Sequence, residues 1–597
     1  MTKRYAPFLL KAVERILADA RDTFPKGHRE FDRDLDRLSR ALEAQGVGLF
    51  TIQLPALGKH FDQCLSAGQW RRTNLAYSAR RSSTCVIPRL FWELHRRVFE
   101  DDGMLRARPD VTAIFFLRQL FAVAKKYKDD CNESRTYKTV QDFFRVEDSL
   151  EYPSLPWEET STDNWDLSSC HINSYRDTGS SGPDLFGSRG LGTGLLKLAD
   201  TCQKVADILA TELGYFDPYS WRPRHGPGAV SDSPLGGYKY NFPNWPKRLA
   251  SVFPLEDFAF ANHSMWADWV SLGYDSFIRQ DEGFSKLIKV PKSLKGPRLI
   301  ASEPTAHQWC QQIIWDFFRT RYQRSFLGEF VHFNDQTHNG RAARQASRDG
   351  SSWTIDLSSA SDSVSTRLVE RIFRRNSSLL SALHACRTGY LYQEIDKKYP
   401  KWTKLKKFST MGSACTFPVE SHIFLVISLA ACIYAKGLRV TRENILSLQG
   451  AIHVFGDDIV IPSYAGKDME VLLGYLSFKV NPSKTFKSGR FRESCGWESF
   501  DGICVTPSYV LREPLRQQPE SIASTVESSN NFFMKGLWRT ADWLKSTVQQ
   551  GYSFPVVGVG SGCLGFRSFS KCEGSPRGFP PPRVRFNRNL QRDEVFV

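Results

Sequence analysis

The sequence lacks an uninterrupted apolar run of about 18 residues, the length from which a membrane-spanning helix is inferred. The best candidate, residues 423–435 (IFLVISLAACIYA), is too short to cross a bilayer and predicts a buried helix. The N-terminal residues alternate charged and apolar side chains at helical spacing, which is typical of an amphipathic helix and not of a signal peptide. We therefore expect no membrane among the partners.

Cysteine pairs with metal-ligand spacing are also missing. The 13 cysteines are scattered, and none belongs to a Cys-x-x-Cys motif. Cys495 and Cys504 are nine residues apart, as are Cys563 and Cys572, and this spacing matches no common zinc site. An odd number of cysteines in a large chain is typical of reduced thiols in a cytosol, so most should be small buried side chains.

Neither an internal repeat nor a long low-complexity tract is present. Residues 178–194 are rich in Gly and Ser, but their glycines lack dinucleotide-binding spacing and follow no strand, so we interpret them as a flexible loop. Residues 580–588 are rich in Pro and Arg, and this tail is expected to be poorly ordered without a ligand.

What the chain has in excess is positive charge. Its 597 residues include 80 Lys and Arg against 64 Asp and Glu, a formal charge of +16. Apolar residues make up 41%, enough for a sizeable globular core. A positive excess favours a polyanionic partner, because each neutralised phosphate releases condensed counterions. A basic membrane-surface protein and a merely solvated surface are the alternatives.

A pair of adjacent carboxylates carries the first sign of chemistry, in residues 450–463 (GAIHVFGDDIVIPS). Two β-branched segments flank Gly456, Asp457 and Asp458, which predicts a hairpin with a Gly-Asp-Asp turn. Gly and Asp favour turns for backbone reasons alone. Adjacent carboxylates between buried strands are costly, however, unless a cation compensates them. The pair therefore predicts either a plain turn or a metal site.

A second carboxylate pattern lies upstream, in residues 353–363 (WTIDLSSASDS). Asp356 ends a predicted buried strand, and a Ser-rich turn leads into a helix. Asp362 falls at the predicted helix start, where it serves as a cap or where the dipole favours an anion. Asp356 has no such structural reason. Three carboxylates from two strands can hold a pair of hard divalent ions such as Mg²⁺.

The ordered set of these two patterns resembles motifs A and C of RNA-dependent RNA polymerases. Further segments resemble the replicase catalytic subunits of single-stranded RNA bacteriophages of the levivirus type, and the likeness covers residues 215–512. These segments are residues 290–298 (VPKSLKGPR), 333–337 (FNDQT), 409–416 (STMGSACT) with Glu420 and Ser421, and 491–496 (FRESCG).

The resemblance implies an α+β fold of the right-hand polymerase type, with fingers, palm and thumb. The palm is expected to be a small antiparallel sheet backed by helices. The expected segments are a helix-rich N-terminal region packing on fingers or thumb (1–214), fingers with a basic nucleotide-entry motif (215–350), a palm with motifs A to E (351–510), and a thumb with a basic tail (511–597).

The resemblance also implies roles for the charged residues. Asp356, Asp457 and Asp458 are expected to hold two Mg²⁺ ions, which Mn²⁺ could replace. Lysines and an arginine at motif F are expected to clasp the incoming triphosphate, and the arginine fork suits phosphate oxygens; the simpler interpretation is a solvated charge run. These cations are Lys292, Lys295 and Arg298.

Four further residues follow from the resemblance. Asp362 is expected to sense the ribose 2′-hydroxyl, since a site built to hydrogen-bond a hydroxyl rejects the analogue that lacks it. Gly412 is expected to give motif B a flexible loop, and Thr416 to begin the long buried helix. Glu420 stands where many related polymerases carry Asn. It could therefore orient Asp362 through other groups or through water.

Lys484 falls at motif D, where a lysine is thought to protonate the leaving pyrophosphate. The alternative is an ordinary exposed loop lysine.

The expected activity is template-directed RNA synthesis from ribonucleoside triphosphates, copying a phage genome in the cytoplasm of an infected bacterium. The expected partners are the RNA template and product, the host elongation factors Tu and Ts, and a ribosomal RNA-binding protein. A reverse transcriptase is the alternative enzyme, disfavoured by Asp362 and by Phe455 before the Gly-Asp-Asp turn. A basic RNA-binding or packaging protein is the alternative from another class, but it leaves three strand-associated aspartates unexplained.

Overall fold

The structure is a computed structural model. It describes residues 6–128, 131–176, 193–226, 228–232, 239–240, 242–260, 263–271, 280–569, 584–587 and 592–595.

Two sequence expectations fall largely outside these ranges. The flexible loop expected for the Gly/Ser-rich stretch stays a prediction up to residue 192. The poorly ordered tail stays a prediction for residues 580–583 and 588. Gly194 lies in a helix, and residues 584–587 pair with residues 592–595 as an antiparallel hairpin, so these parts differ from the expected loop and poorly ordered tail.

The α-helices account for most of the regular structure. In the described ranges they are α1 (Ala6–Thr23), α2 (His28–Gln45), α3 (Leu54–Ala67), α4 (Trp92–His95), α5 (Val111–Ala122), α6 (Glu133–Asp148), α7 (Thr193–Leu213), α8 (Lys247–Ala250), α9 (Leu255–Phe258), α10 (His263–Ser271), α11 (Thr305–Arg324), α12 (Thr337–Asp349), α13 (Ala360–Ser363), α14 (Thr366–Phe373), α15 (Ser377–Cys386), α16 (Thr416–Ala435), α17 (Arg442–Leu446), α18 (Gly466–Tyr475), α19 (Pro519–Phe533) and α20 (Trp538–Gln549).

The strands are short and form small sheets. In chain order they are β1 (Ser285–Ser293), β2 (Gly296–Ser302), β3 (Ser352–Ile355), β4 (Leu357–Ser358), β5 (Tyr390–Tyr392), β6 (Trp402–Lys404), β7 (His453–Phe455), β8 (Asp458–Pro462), β9 (Lys479–Val480), β10 (Phe491–Ser494), β11 (Trp497–Phe500), β12 (Ile503–Cys504), β13 (Val556–Gly558), β14 (Phe566–Ser568), β15 (Val584–Asn587) and β16 (Arg592–Val595).

The chain forms two compact units. Unit 1 comprises Met1–Asn132, Pro291–Pro297 and Ile503–Val597, and unit 2 comprises Glu133–Val290 and Arg298–Gly502. The four segments expected from the sequence are finer than this division and stay a prediction.

Unit 1 is built mainly from helices. The buried carboxylate of Asp19 on α1 accepts hydrogen bonds from the backbone N–H groups of Arg539 (2.8 Å) and Thr540 (3.1 Å), in the first turn of α20. An anion at a helix N-terminus satisfies N–H groups that have no partner within the helix. This contact ties α1 to α20 within the unit. The helix-rich N-terminal region expected from the sequence is confirmed.

Unit 2 has the long helix α16 at its centre. Thr416 begins this helix, as predicted, and its apolar side chains pack in one core with α7, α11, α14 and α18. The helix has 20 residues, so it is longer than the apolar run 423–435 and, among the described residues, is the one helix whose length and composition suit a membrane span. Of its most apolar 18-residue window, 94% is buried inside the protein, which accounts for its composition.

A three-stranded antiparallel sheet lies beside this helix, with the strand order β3–β8–β7. Strand β3 is aligned with β8 from Ser352 opposite Pro462 to Ile355 opposite Ile459. Helices α12 and α16 both contact the sheet. The expected α+β class, with a small antiparallel sheet backed by helices, is confirmed.

Candidate active site

The Gly-Asp-Asp segment forms the predicted hairpin turn between β7 and β8. Phe455 pairs with Asp458, so Gly456 and Asp457 make the turn, and Gly456 adopts a φ of +58° that favours glycine. A Cβ atom at this position would lie 3.0 Å from Phe417 Cε2 and 3.1 Å from Glu420 Oε1. Helix α16 therefore backs the turn closely, and a side chain at position 456 would push against it.

Strand pairing brings the upstream carboxylate to this turn. Ile355 is opposite Ile459, so the next pair in the same antiparallel register is Asp356 and Asp458. The two residues are separated by about a hundred positions in the sequence, and Asp356 lies at the end of β3, as predicted. The sheet thus places the three aspartates of the two motifs at one edge.

The electrostatics of this edge combine burial with several close negative charges. The pKa of Asp458 is raised to about 6, mainly by burial, then by the charge of Asp457 and to a smaller extent by that of Asp356. A backbone N–H of Cys495 and the Lys484 ammonium act in the opposite direction. A bound cation would favour the ionised carboxylates in the same way.

Lys484 is part of this cluster and does not extend freely from its loop. Its Nζ lies 2.6 Å from Asp356 Oδ2, while Asn481 Nδ2 donates to Asp356 Oδ1 at 2.7 Å. The backbone N–H of Asn481 also donates to the carbonyl of Asp356, at 2.9 Å. Burial opposes the lysine charge, yet Glu493, Asp356 and Asp458 hold the pKa of Lys484 above its ordinary value. The ammonium is therefore protonated at neutral pH, beside the candidate metal ligands.

Glu493 is a neighbour that the sequence did not single out. It lies on β10, where burial raises its pKa to about 8; the Lys484 ammonium lowers the pKa, and Glu498 and Asp458 raise it. Residues 491–496 were part of the family resemblance, but nothing in that pattern marked this carboxyl. Only the fold of β10 against the hairpin brings it to Lys484.

Asp362 does not cap the following helix, contrary to one of the sequence interpretations. It lies in the short helix α13, while the Ser365 side chain caps α14 by accepting a hydrogen bond from the N–H of Leu368 at 3.1 Å. The carboxylate of Asp362 instead accepts a hydrogen bond from Lys407 Nζ at 3.1 Å. A hydroxyl caps equally well, so Asp362 is left for another role.

Lys407 was missed because the sequence around it, KLKK, is typical of a solvated charge run. Its side chain is fully buried, and its Nζ lies 3.7 Å from Glu147 Oε2 and 3.5 Å from the ring centroid of Phe143. A buried ammonium is tolerated only when paired, and two carboxylates with an aromatic face provide that pairing. No sequence signal would have identified this contact.

Glu420 faces the aspartates from α16. Burial raises the pKa of Glu420 well above its ordinary value, and the charges of Asp457 and Asp362 raise it further. In the part of the chain that the structure describes, its buried Oε2 has no hydrogen-bond partner. Whether Glu420 orients Asp362, as the sequence suggested, stays a prediction.

The motif B loop is held tightly at Gly412. This residue has a φ of +130°, and a Cβ atom there would lie 1.9 Å from the carbonyl oxygen of Ala301. The N–H of Ala301 in turn donates to the carbonyl of Met411 at 2.8 Å. Thr416 Oγ1 donates to the carbonyl of Thr410 at 2.8 Å. Glycine is required here for close approach, while the flexibility of the loop stays a prediction.

The predicted motif F cations lie on a β-hairpin made by β1 and β2, and all three side chains are exposed. Arg298 belongs to unit 2, which also contains the aspartates, whereas Lys292 and Lys295 belong to unit 1.

The aspartate edge suits a hard cation by its chemistry. Carboxylate oxygens are the ligands that Mg²⁺ prefers. Burial, and after it the charge of Asp457, raises the pKa of Asp458, and a bound cation would offset both effects. Within the described ranges, no group of three or more His, Cys, Asp or Glu side chains is already arranged around an ion position. Both oxygens of Asp356 accept hydrogen bonds, from Lys484 and Asn481. An ion would therefore share or replace these contacts.

Comparison with known proteins is consistent with this site. Residues 239–525 match the family model described as RNA replicase, beta-chain. The RNA-directed RNA polymerase beta chain of Enterobacteria phage fr is 39% identical over 230 residues, 38% of this chain and 38% of the relative. The RNA-directed RNA polymerase subunit beta of Escherichia virus Qbeta is 32% identical over 280 residues, 46% of this chain and 41% of the relative.

The matched regions thus span less than half the length of these curated relatives. The resemblance to phage replicase catalytic subunits, expected from the motifs, is confirmed for the central segment, which contains every candidate site residue.

Two solved structures show a weak overall likeness. The RNA-dependent RNA polymerase of BmCPV at elongation state gives a TM-score of 0.34 with 12% identity, over 60% of this chain and 33% of that one. The RNA-dependent RNA polymerase of a human picobirnavirus gives a TM-score of 0.33 with 13% identity, over 45% and 56% of the two chains.

Proposed function

We propose that this chain, which carries an RNA replicase beta-chain segment in residues 239–525, synthesises RNA on an RNA template from ribonucleoside triphosphates. The observation that carries the proposal is the register of β3 on β8, which puts Asp356 beside Asp458 and next to the Asp457 turn. A packaging protein with structural carboxylates has no use for three clustered aspartates whose charges oppose one another.

Asp356, Asp457 and Asp458 would hold two Mg²⁺ ions, or Mn²⁺ in their place, through carboxylate oxygens. Two divalent ions at such a site supply activation of a 3′-hydroxyl and stabilisation of the leaving pyrophosphate. The protein supplies the rigid edge of the sheet, because the backbone of Asp458 is also held by Asn339, whose Nδ2 donates to its carbonyl at 3.0 Å.

Lys484 is the group best placed to deliver a proton to the leaving pyrophosphate. Its ammonium lies in the aspartate cluster, 2.6 Å from Asp356 Oδ2, and carries the proton that a general acid would transfer. Asp362 would select ribose at the same edge, together with Gly412, Thr416 and Glu420 of motif B. The match to motif F supports a role for Lys292, Lys295 and Arg298 in binding the triphosphate.

The architecture that suits this activity is the right hand of fingers, palm and thumb, with the β3–β8–β7 sheet as the palm. The setting we propose is the cytoplasm of a bacterium infected by an RNA phage. Host elongation factors Tu and Ts and a ribosomal RNA-binding protein are proposed partners, by analogy with the phage replicase family.

The test uses the full chain with a substitution in the turn. We expect Asp457→Asn to keep RNA binding and to abolish nucleotide incorporation on a primed template with Mg²⁺. Asp200→Asn is the matched control, since Asp200 lies in the same unit and pairs with Lys204 at the surface. Unchanged incorporation by Asp457→Asn would show that the proposed site is wrong.

A further inference from the structure

The sheet with strand order β2–β1–β5–β6 carries an aromatic and basic face on its outer side. Strands β1 and β5 are parallel, with Lys286 beside Tyr392, and β5 and β6 are antiparallel, with Tyr392 beside Trp402. These three side chains therefore form one row across the sheet. Tyr390 pairs with Lys404 in the next row, and Phe284 precedes β1 on the same side.

The aromatic side chains of this row and the next one are open to solvent. Phe284, Tyr390 and Trp402 are 38%, 39% and 53% exposed. Their rings nevertheless contact one another: the centroids of Phe284 and Trp402 are 4.7 Å apart, and those of Tyr392 and Trp402 are 4.9 Å apart. We call Phe284, Tyr390, Tyr392 and Trp402 the aromatic face.

The core does not explain the aromatic face. The opposite side of the same strands packs Leu287, Leu391 and Leu405 against Phe143 and Phe144 of α6, and these side chains are buried. Successive residues of a strand point to opposite sides, so the exposed rings contribute little to that core. Adjacent exposed aromatics on a sheet mark a surface that binds something.

Positive charge surrounds the aromatic face. Lys286 Nζ lies 6.0 Å from the centroid of the Tyr392 ring, and Lys404 borders Tyr390 while pairing with Glu158 at 2.7 Å. The connection between β5 and β6 adds three exposed lysines. Its exposed Glu394 accepts a hydrogen bond from the Tyr392 hydroxyl and lies 3.8 Å from Lys401 Nζ, and its Asp396 is buried. The three lysines are Lys397, Lys398 and Lys401.

We propose that the aromatic face binds single-stranded RNA, with bases stacked on Trp402 and Tyr392 and phosphates near Lys286 and the lysines of the β5–β6 connection. Stacking on aromatic rings flanked by cations is how proteins hold single strands without reading their sequence. The identity of the nucleic acid rests on the proposed function. The aromatic face lies on a different sheet from the aspartates, and no catalytic role is proposed for it.

The test is photocrosslinking and binding with the full chain and a 5-iodouridine-labelled single-stranded RNA of about 15 nucleotides, a length in the range such sites cover. We expect crosslinks at Trp402 or Tyr392, identified by mass spectrometry. Trp402→Ala should weaken single-strand binding about tenfold or more, since stacking contributes strongly to each base. Trp402→Phe should restore most of the affinity, because it keeps a ring.

Tyr464→Ala is the matched control, since Tyr464 is also exposed (46%) and also has a lysine, Lys436, at 5.1 Å from its ring, but lies elsewhere in unit 2. It should bind single-stranded RNA like the unmodified chain. Lys286→Gln should make the slope of log affinity against log salt concentration shallower by about one unit, which corresponds to one lost phosphate contact.

Unchanged affinity of Trp402→Ala together with no crosslink on the aromatic face would overturn the proposal. So would loss of a co-purifying host protein from Trp402→Ala with unchanged RNA binding, which would assign the face to a protein partner. Crosslinking does not depend on turnover, and Asp457→Asn should still crosslink. Failure of the aromatic face is therefore distinguishable from failure of the proposed polymerase function.

Discussion

Lys407 Nζ lies 3.1 Å from Asp362 Oδ1, and the lysine side chain is fully buried while the Asp362 side chain is 14% exposed. Many related polymerases carry Asn at the position of Glu420, and this Asn is expected to act together with the carboxylate that corresponds to Asp362. Here a lysine from a separate segment holds that carboxylate. Under the proposed function, in which Asp362 selects ribose, this selection is expected to depend on Lys407.

Replacing Lys407 by Met should lower both stability and sugar selection. The change leaves Asp362 and Glu147 without their buried cation, which typically costs about 3–5 kcal/mol of unfolding free energy. We expect a lower melting temperature and a smaller ratio of kcat/KM for ribonucleotides over 2′-deoxyribonucleotides. Lys407→Arg should recover the ratio in part, while the exposed Lys467→Met should change neither quantity. A Lys407→Met enzyme that folds and keeps its sugar selection would contradict the assignment.

Substitutions of Lys484 can distinguish the effect of its positive charge from its role as a proton donor. Lys484→Leu should reduce kcat about 10²-fold or more, the usual contribution of a general acid. It should also lower the Mg²⁺ concentration needed for half-maximal activity, because Asp356 loses a cation that competes with the metal ion. Lys484→Arg keeps the positive charge but holds its proton too tightly, so it should restore the Mg²⁺ response and not kcat.

Single-turnover incorporation across a Mg²⁺ titration checks this expectation. Lys487→Leu is the control, because Lys487 pairs with Glu470 on the surface and makes no contact with Asp356 among the interactions described. Full activity of Lys484→Arg would show that the lysine acts through its charge alone.

Glu303 should make stability depend on pH near neutrality. Burial raises its pKa to about 7, although hydrogen bonds from Thr388 and Gln311 and the charge of Arg387 act against this. Between the ordinary glutamate pKa of 4.5 and about pH 7, Glu303 therefore keeps its proton in the folded state and loses it in the unfolded state. Its contribution to stability is full below the lower of these values and falls as pH rises towards 7, by about 1.4 kcal/mol per pH unit.

Glu303→Gln should remove this part of the pH dependence. Chemical denaturation at about pH 5, 6 and 7 gives the free energy of unfolding of both proteins. The advantage of the unmodified chain over the variant in this free energy should shrink or reverse as the pH rises. A constant difference over this range would mean that Glu303 ionises in the folded state with an ordinary pKa.

Gly412→Ala should damage the motif B loop. The added Cβ would meet the Ala301 carbonyl oxygen at 1.9 Å, a backbone atom that cannot move aside cheaply. Gly437→Ala is the control, since Gly437 also has a positive φ (+62°) but has open space around its Cβ position, and it should cost only about 1–2 kcal/mol. Gly412→Ala should lower both the melting temperature and the rate of nucleotide incorporation more than Gly437→Ala does. Equal effects of the two substitutions would show that the close contact is unimportant.

The local features of the site were predictable from the sequence. The turn at Gly456 and Asp457, the strand that ends at Asp356 and the helix that begins at Thr416 each depend on side chains within a few neighbouring residues. Backbone preference and the spacing of apolar residues act over that range. The ordered motifs also sufficed to identify the family resemblance of the central segment.

The contacts between distant segments were decided by the tertiary structure. The pairing of Asp356 with Lys484, of Asp362 with Lys407 and the position of Glu493 join segments whose sequences carry no mark of one another. A lysine in a charge run looks the same whether it is solvated or buried, because its partner is chosen by how strands and helices pack. The aromatic face likewise became visible only when strand register placed Tyr392 beside Trp402.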